Sequence, residues 1–275
     1  MSARHLSPHH GVIVPMVTPI APDGSLDEAA VQRVVDHMVA GGAHGIFVLG
    51  TTGENTSVPA ALRERLVAAT VEHVAGRART YAGVSANCLA DSVAAAKAYA
   101  PLGVDAVVAH LPTYYALNTE EQFAYFSALA GRIDLPLVLY DIPVTAHMVI
   151  PVEVVERLSR HANVVGIKDS GGDVARLTAL LERLGDGEPD FTILVGASVL
   201  SAQGLALGAD GIVPSQGNLI PALCRVLYDC AIAGDRDGAE AHQRRLNAFT
   251  QLFVEGRSLA QSLGALKAMM GALGL

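Results

Sequence analysis

Lysine is scarce in this chain. Lys and Arg together number 19 among 275 residues, and lysine supplies three, at positions 97, 168 and 267. The net charge is −8 and no basic run occurs, so the clustered cations that a nucleic-acid groove requires are missing. A small molecule or a protein is the expected partner. Cysteine is scarce too: Cys88, Cys224 and Cys230 are odd in number and lack CxxC spacing, which suggests neither a disulfide framework nor a zinc site. That usage fits a reducing cytoplasm. No run of about 18 apolar residues is present to span a bilayer, and "MSARHLSPHH" has no apolar core of signal-peptide length. A soluble protein without membrane or nucleic-acid partners is therefore expected.

What the chain does have is alternation. Apolar runs rich in Val and Ile recur as "GVIVPMVTP", "GIFVLGTTG", "TYAGVS", "AVVAHLP", "LPLVLYDIP", "VVGIKDS", "FTILVGA" and "GIVPSQGN". Each is apolar on both faces, as strands covered on both sides must be. Between them lie amphipathic stretches such as "DEAAVQRVVDHMVAGG", where Val31, Val34, Val35 and Met38 share one face and Gln32, Arg33 and Asp36 the other. Asp27 and Glu28 mark the start of that helix, and Gly41 and Gly42 its end; Thr119, followed by Glu120 and Glu121, opens another.

Eight strands alternating with helices predict a closed (β/α)₈ barrel, which takes about 250 residues. No GxGxxG follows the first strand, so the open doubly wound alternative lacks its fingerprint. A single domain is expected, with the barrel over 11–234 and a helical appendage over 235–275.

A barrel places catalytic groups at the carboxyl ends of its strands. Polar residues interrupt the apolar runs there: Thr51, Thr52 and Glu54 after the second strand, Tyr114 and Tyr115 after the fourth, Tyr140 on the fifth, Lys168 on the sixth and Ser215 after the eighth. An ordinary lysine, with a pKa of about 10.4, is protonated at neutral pH, and burial is the general means of lowering that value. A lysine on an apolar strand end is thus a candidate Schiff-base former. A phenol one strand away, Tyr140, can relay the proton that carbinolamine dehydration needs. The "GTTG" turn can aim backbone N–H groups and two hydroxyls at the carboxylate of a 2-oxo acid.

These residues carry a family resemblance. "GTTGE", "YYALN", "YDIP" and "GIKDS", with the opening "VPMVTPIAPDGSLDEAAVQRVVDHMVAGGAHGIFVLGTTGE" and the late "LALGADGIV", resemble the dihydrodipicolinate synthase and N-acetylneuraminate lyase superfamily of pyruvate-dependent class I aldolases. The resemblance spans nearly the whole chain. It implies a Schiff base on Lys168, a proton shuttle at Tyr140, and Thr51 linking Tyr140 to Tyr115, which in many members crosses from a neighbouring subunit. A homo-oligomer, dimer or tetramer, follows from that crossing. Thr52 is implied at the pyruvate carboxylate; Gly53, Thr145, His147 and Val213 are further candidates for substrate binding. No cofactor or metal is implied. The histidines lack paired ligand spacing on a helix.

Departures bear on the substrate. In the synthase branch the fifth-strand motif reads Tyr-Asn-Val-Pro-x-Arg-Thr, and its Arg grips a carboxylate of the aldehyde partner. Here "YDIPVTAH" puts Thr145 in that place. A hydroxyl lacks the paired charge-assisted bonds of a guanidinium. An aldehyde without a matching carboxylate is therefore expected, of the 2-oxo-3-deoxy sugar-acid type, with Asp141 and His147 as candidate selectors. A dehydratase or hydratase on the same imine, the synthase reaction itself and a non-catalytic oxo-acid-binding barrel remain as alternatives. "PSQGNLIP", with no basic residue beside it, is expected to shape the pocket or cap a helix rather than hold phosphate. Relatives often continue past the point matching "ALKAMMGALGL", which implies a shortened terminal helical layer.

Overall fold

The computed structural model describes residues 8–185 and 191–275. Each apolar run forms a parallel strand: β1 Gly11–Pro15, β2 Gly45–Val48, β3 Arg79–Gly83, β4 Ala106–Ala109, β5 Leu137–Asp141, β6 Val164–Asp169, β7 Thr192–Val195 and β8 Gly211–Ile212. They pair in sequence order, and β8 returns to β1, closing the (β/α)₈ barrel that the alternation predicts.

The helices are α1 Glu28–Ala40, α2 Ala60–Val74, α3 Leu89–Tyr99, α4 Thr119–Ala130, α5 Pro143–Ala146, α6 Val152–Ser159, α7 Val174–Leu184, α8 Ser201–Leu207, α9 Pro221–Ile232, α10 Arg236–Val254 and α11 Leu259–Ala272. Capping fixes their starts. Asp27 accepts from Ala30 N at α1, as its sequence predicts. α4 opens at Thr119, as its sequence predicts, and Asn118 caps it: Asn118 and Glu121 form a reciprocal capping box.

Strand alternation splits the core in two. Ile13, Phe47, Tyr81, Val108, Val138, Tyr140, Leu194 and Val213 fill the barrel interior. The intervening residues, such as Val14, Ile46, Val107, Leu139 and Ile193, face the helical layer, where α1 contributes Val31, Val34, Val35 and Met38. Each such side chain contributes roughly 1.5–3 kcal/mol when fully buried.

β8 has only two paired residues on either side, so side-chain bonds complete the closure. Asn218 accepts from Val17 N at 3.0 Å and donates to Pro15 O at 2.9 Å and Ser215 O at 2.8 Å. "PSQGN" is thereby a structural tie between the ends of β1 and β8. Beyond α9, α10 and α11 bury Leu246, Phe253, Leu266 and Met270. Among the described residues no helix is long and apolar enough to cross a membrane.

Candidate active site

Lys168 stands one residue from the end of β6, in register with Tyr140 of β5 and Leu194 of β7. It is 5% exposed. Its Nζ lies 3.9 Å from the Tyr140 ring centroid and 5.1 Å from that of Phe47, so the amine points into the barrel mouth against two aromatic faces. Gly196, just past β7, makes room for it. A Cβ there would come within 3.1 Å of Lys168 Cε and 2.0 Å of Ser170 Oγ, so no larger residue fits without moving the lysine's surroundings.

The Tyr140 hydroxyl lies 3.2 Å from Thr51 Oγ1, which joins the β5 phenol to the turn after β2. That turn is bracketed by two non-glycine residues with left-handed backbones, Leu49 (φ 57°) and Glu54 (φ 53°). Such conformations are uncommon and store strain, which recurs where side chains must be aimed. Thr52 and Gly53 are buried within the turn, and the Gly53 carbonyl accepts from Thr18 Oγ1 at 2.6 Å. Val213 is buried in the interior layer below, beside Tyr140 and Leu194.

Two groups emerge that the sequence reading did not assign. Phe47 is one, as an inward-facing neighbour of Lys168; its place in the alternation of "GIFV" was the available signal. His110, which follows β4, is the other; its ring packs 6.2 Å from that of Tyr140. Its Nδ1 lies 2.7 Å from Leu111 O and therefore carries the proton. Burial pushes its pKa below the usual imidazole value, with Lys168 acting in the same direction and the Leu111 bond against it. Both observations favour the neutral ring with its proton on Nδ1.

Other predicted residues are not gathered within one chain. Tyr115 is 74% exposed, its ring set edge-on to Tyr114 at 4.9 Å, and no hydrogen bond joins it to Thr51. Thr145 is half-buried on α5, while His147 caps that helix in a left-handed conformation (φ 56°) and is exposed. Asp141, read from sequence as an aldehyde selector, is turned the other way.

Strand alternation explains Asp141. Register pairs Tyr140 with Lys168 on the inner face and Asp141 with Asp169 on the outer one. There Arg176, in the first turn of α7, donates from Nε to Asp169 Oδ2 at 2.6 Å and sits 3.4 Å from Asp141 Oδ2. The other Asp141 oxygen accepts from Ile150 N at 2.7 Å, tying down the segment that carries α5. One cation thus faces two buried carboxylates.

Burial, against the pull of Arg176 and the Ile150 bond, pushes the Asp141 pKa up from 3.8 to about 6. The folded state therefore binds this proton more tightly than the unfolded one. Its stabilisation is complete below pH ~4 and disappears as pH rises through the folded value. The contribution is at most about 3 kcal/mol, from 1.36 kcal/mol per pKa unit. Urea unfolding of wild type and Asp141→Asn between pH 8 and 4 should show wild type gaining on the variant by up to that amount as pH falls. A difference independent of pH would contradict the burial argument.

A model of the Dihydrodipicolinate synthetase family matches residues 8–275. The chain belongs to this family. Its relatives include 4-hydroxy-tetrahydrodipicolinate synthase of Shewanella piezotolerans, 30% identical over 251 residues that cover 91% of this chain and 85% of the relative. Dihydrodipicolinate synthase of Bacteroides thetaiotaomicron superposes with a TM-score of 0.92 at 32% identity, covering 98% of this chain and 90% of the other. The chloride-inhibited dihydrodipicolinate synthase of Acinetobacter baumannii, solved with pyruvate, gives a TM-score of 0.89 at 27% identity over 96% of this chain and 89% of the other. As a dihydrodipicolinate synthetase family member the chain is a Schiff-base-forming, pyruvate-dependent lyase of the aldolase type.

Proposed function

We propose that Lys168 is the imine-forming residue and that the enzyme reversibly joins pyruvate to an aldehyde lacking a second carboxylate, of the kind that gives a 2-oxo-3-deoxy sugar acid. The observation that carries the reading is the Lys168–Tyr140–Thr51 arrangement: a buried amine at a strand end, a phenol against it, and a hydroxyl at 3.2 Å from that phenol.

Lys168 Nζ adds to the pyruvate C2 carbonyl, and Tyr140 delivers the proton with which the carbinolamine oxygen leaves as water. The Tyr140 phenolate left by that step takes a C3 proton from the iminium, which gives the enamine and restores the phenol. The enamine carbon attacks the aldehyde carbonyl, Tyr140 protonates the new alkoxide, and water releases the product from the lysine. Thr51 orients the phenol, and Thr52 with the Gly53 backbone receives the pyruvate carboxylate. Val213 forms part of the apolar floor, and Thr145 and His147 flank the aldehyde side. Tyr115, exposed in the single chain, completes the proton relay across a subunit contact, which makes the working enzyme a homo-oligomer.

The similarity to 4-hydroxy-tetrahydrodipicolinate synthases favours a second reading, the synthase reaction itself, with aspartate semialdehyde as the aldehyde. Thr145 in place of a guanidinium speaks against it, and Arg176 is committed to Asp169. One experiment decides both levels. Borohydride with pyruvate should add a reduced pyruvyl group to Lys168, read by peptide mass; an unmodified Lys168 overturns the imine assignment. With pyruvate in excess, a panel of sugar aldehydes and aspartate semialdehyde should give C–C products from the former. Preferential turnover of the semialdehyde establishes the second reading.

A further inference from the structure

Glu54 combines two features that a turn residue does not need for packing. Its backbone is left-handed, which carries strain in a residue with a Cβ. Its Oε2 also accepts from Lys267 Nζ at 2.5 Å, across 213 residues of sequence. Lys267 belongs to α11, which is anchored by buried Leu266 and Met270. In a chain whose basic residues are otherwise almost all arginine, this lysine reaches from the terminal helical layer to the threonine turn.

Glu54 is the closing residue of that turn. Its N–H donates to Thr51 O at 3.0 Å, and its carbonyl accepts from Ser57 N at 2.8 Å and Val58 N at 3.2 Å. The neighbouring Gly53 is pinned from the barrel side by Thr18, and a Cβ on it would lie 3.0 Å from Met16 O and 3.1 Å from Leu49 N. A displacement of Glu54 is therefore passed to Thr51 and Thr52 rather than absorbed.

We propose that Lys267 is a positioning residue: from the C-terminal helix it clamps Glu54, holds the left-handed bend, and so sets the orientation of Thr51 and Thr52 toward the pyruvate carboxylate. The inference rests on the assignment of the turn as the carboxylate site. Both side chains of the pair are 32% exposed, so salt screens the attraction and its part in global stability is small. The effect is local geometry.

The test measures initial rates of borohydride trapping against pyruvate concentration in the full chain, for wild type, Lys267→Met and Lys267→Arg. Lys267→Met should raise the half-saturating pyruvate concentration about three- to fivefold, the scale of a half-exposed ion pair. The rate at saturating pyruvate and the Tm should stay close to wild type. Lys267→Arg, which keeps the charge, should return half-saturation most of the way. Salt at about 1 M should shift wild type toward the Met variant while moving that variant less. Unchanged half-saturation in Lys267→Met overturns the clamp and leaves the imine assignment standing. So does a joint fall of Tm and trapping that Lys267→Arg does not rescue. Absence of trapping on Lys168 in the wild-type enzyme overturns the imine assignment and the clamp with it.

Discussion

Lys168→Arg is expected to lose turnover by several orders of magnitude and to show no pyruvate trapping, while circular dichroism keeps the wild-type secondary structure. Arginine retains a positive charge and an aliphatic stem, yet its guanidinium stays protonated and cannot supply the neutral amine that adds to a ketone. The rest of the arrangement survives the change: Tyr140 still meets Thr51, and the turn still has Thr18 and Lys267 on either side. Binding without bond formation is the outcome, so pyruvate should still protect the variant from thermal unfolding. Turnover near the wild-type level would sink the assignment of Lys168 whatever the structure of the variant.

The largest expected loss of stability lies behind the site. Arg176→Met removes the cation that faces both Asp141 and Asp169, each buried at the strand end next to a mouth residue. Breaking a buried ion pair from one side typically costs about 3–5 kcal/mol, because the remaining charge has lost its compensation. Here two carboxylates are left. Denaturant unfolding at pH 7.5 should show a loss of that size, and the loss should shrink toward pH 5 as Asp141 takes up a proton. Adding Asp141→Asn to Arg176→Met should recover part of the stability, a coupling that a double-mutant cycle reads directly. Strict additivity would show that the two residues are not one electrostatic unit.

The barrel was legible because its physics is local. Each strand buries both faces, so each appears as an apolar run, and each helix shows its buried stripe at fixed spacing. Lys168, Tyr140 and the threonine turn were legible for the complementary reason, since polar groups break those runs at the strand ends. Asp141 was misread because sequence proximity to Tyr140 says nothing about face; alternation turns it outward to Arg176, where it caps Ile150. The Lys267–Glu54 pair was invisible because 213 residues separate its members and neither sits in a periodic pattern. Tyr115 was placed from the resemblance, and within one chain it reaches none of its expected partners. On the proposed reading it meets them only when another copy stands beside it.

The filled interior has a stereochemical consequence. Phe47, Tyr81, Leu194 and Val213 occupy the space beneath Lys168, so nothing enters the barrel from below. If Lys168 carries the enamine as proposed, the filled floor leaves only the open rim as a route for the aldehyde. Every aldehyde must then approach from that side. The new stereocentre forms at the aldehyde carbon, so on the proposed reading product handedness falls to the side chains that orient the aldehyde at the rim, Thr145 and His147, rather than to the floor beneath the lysine.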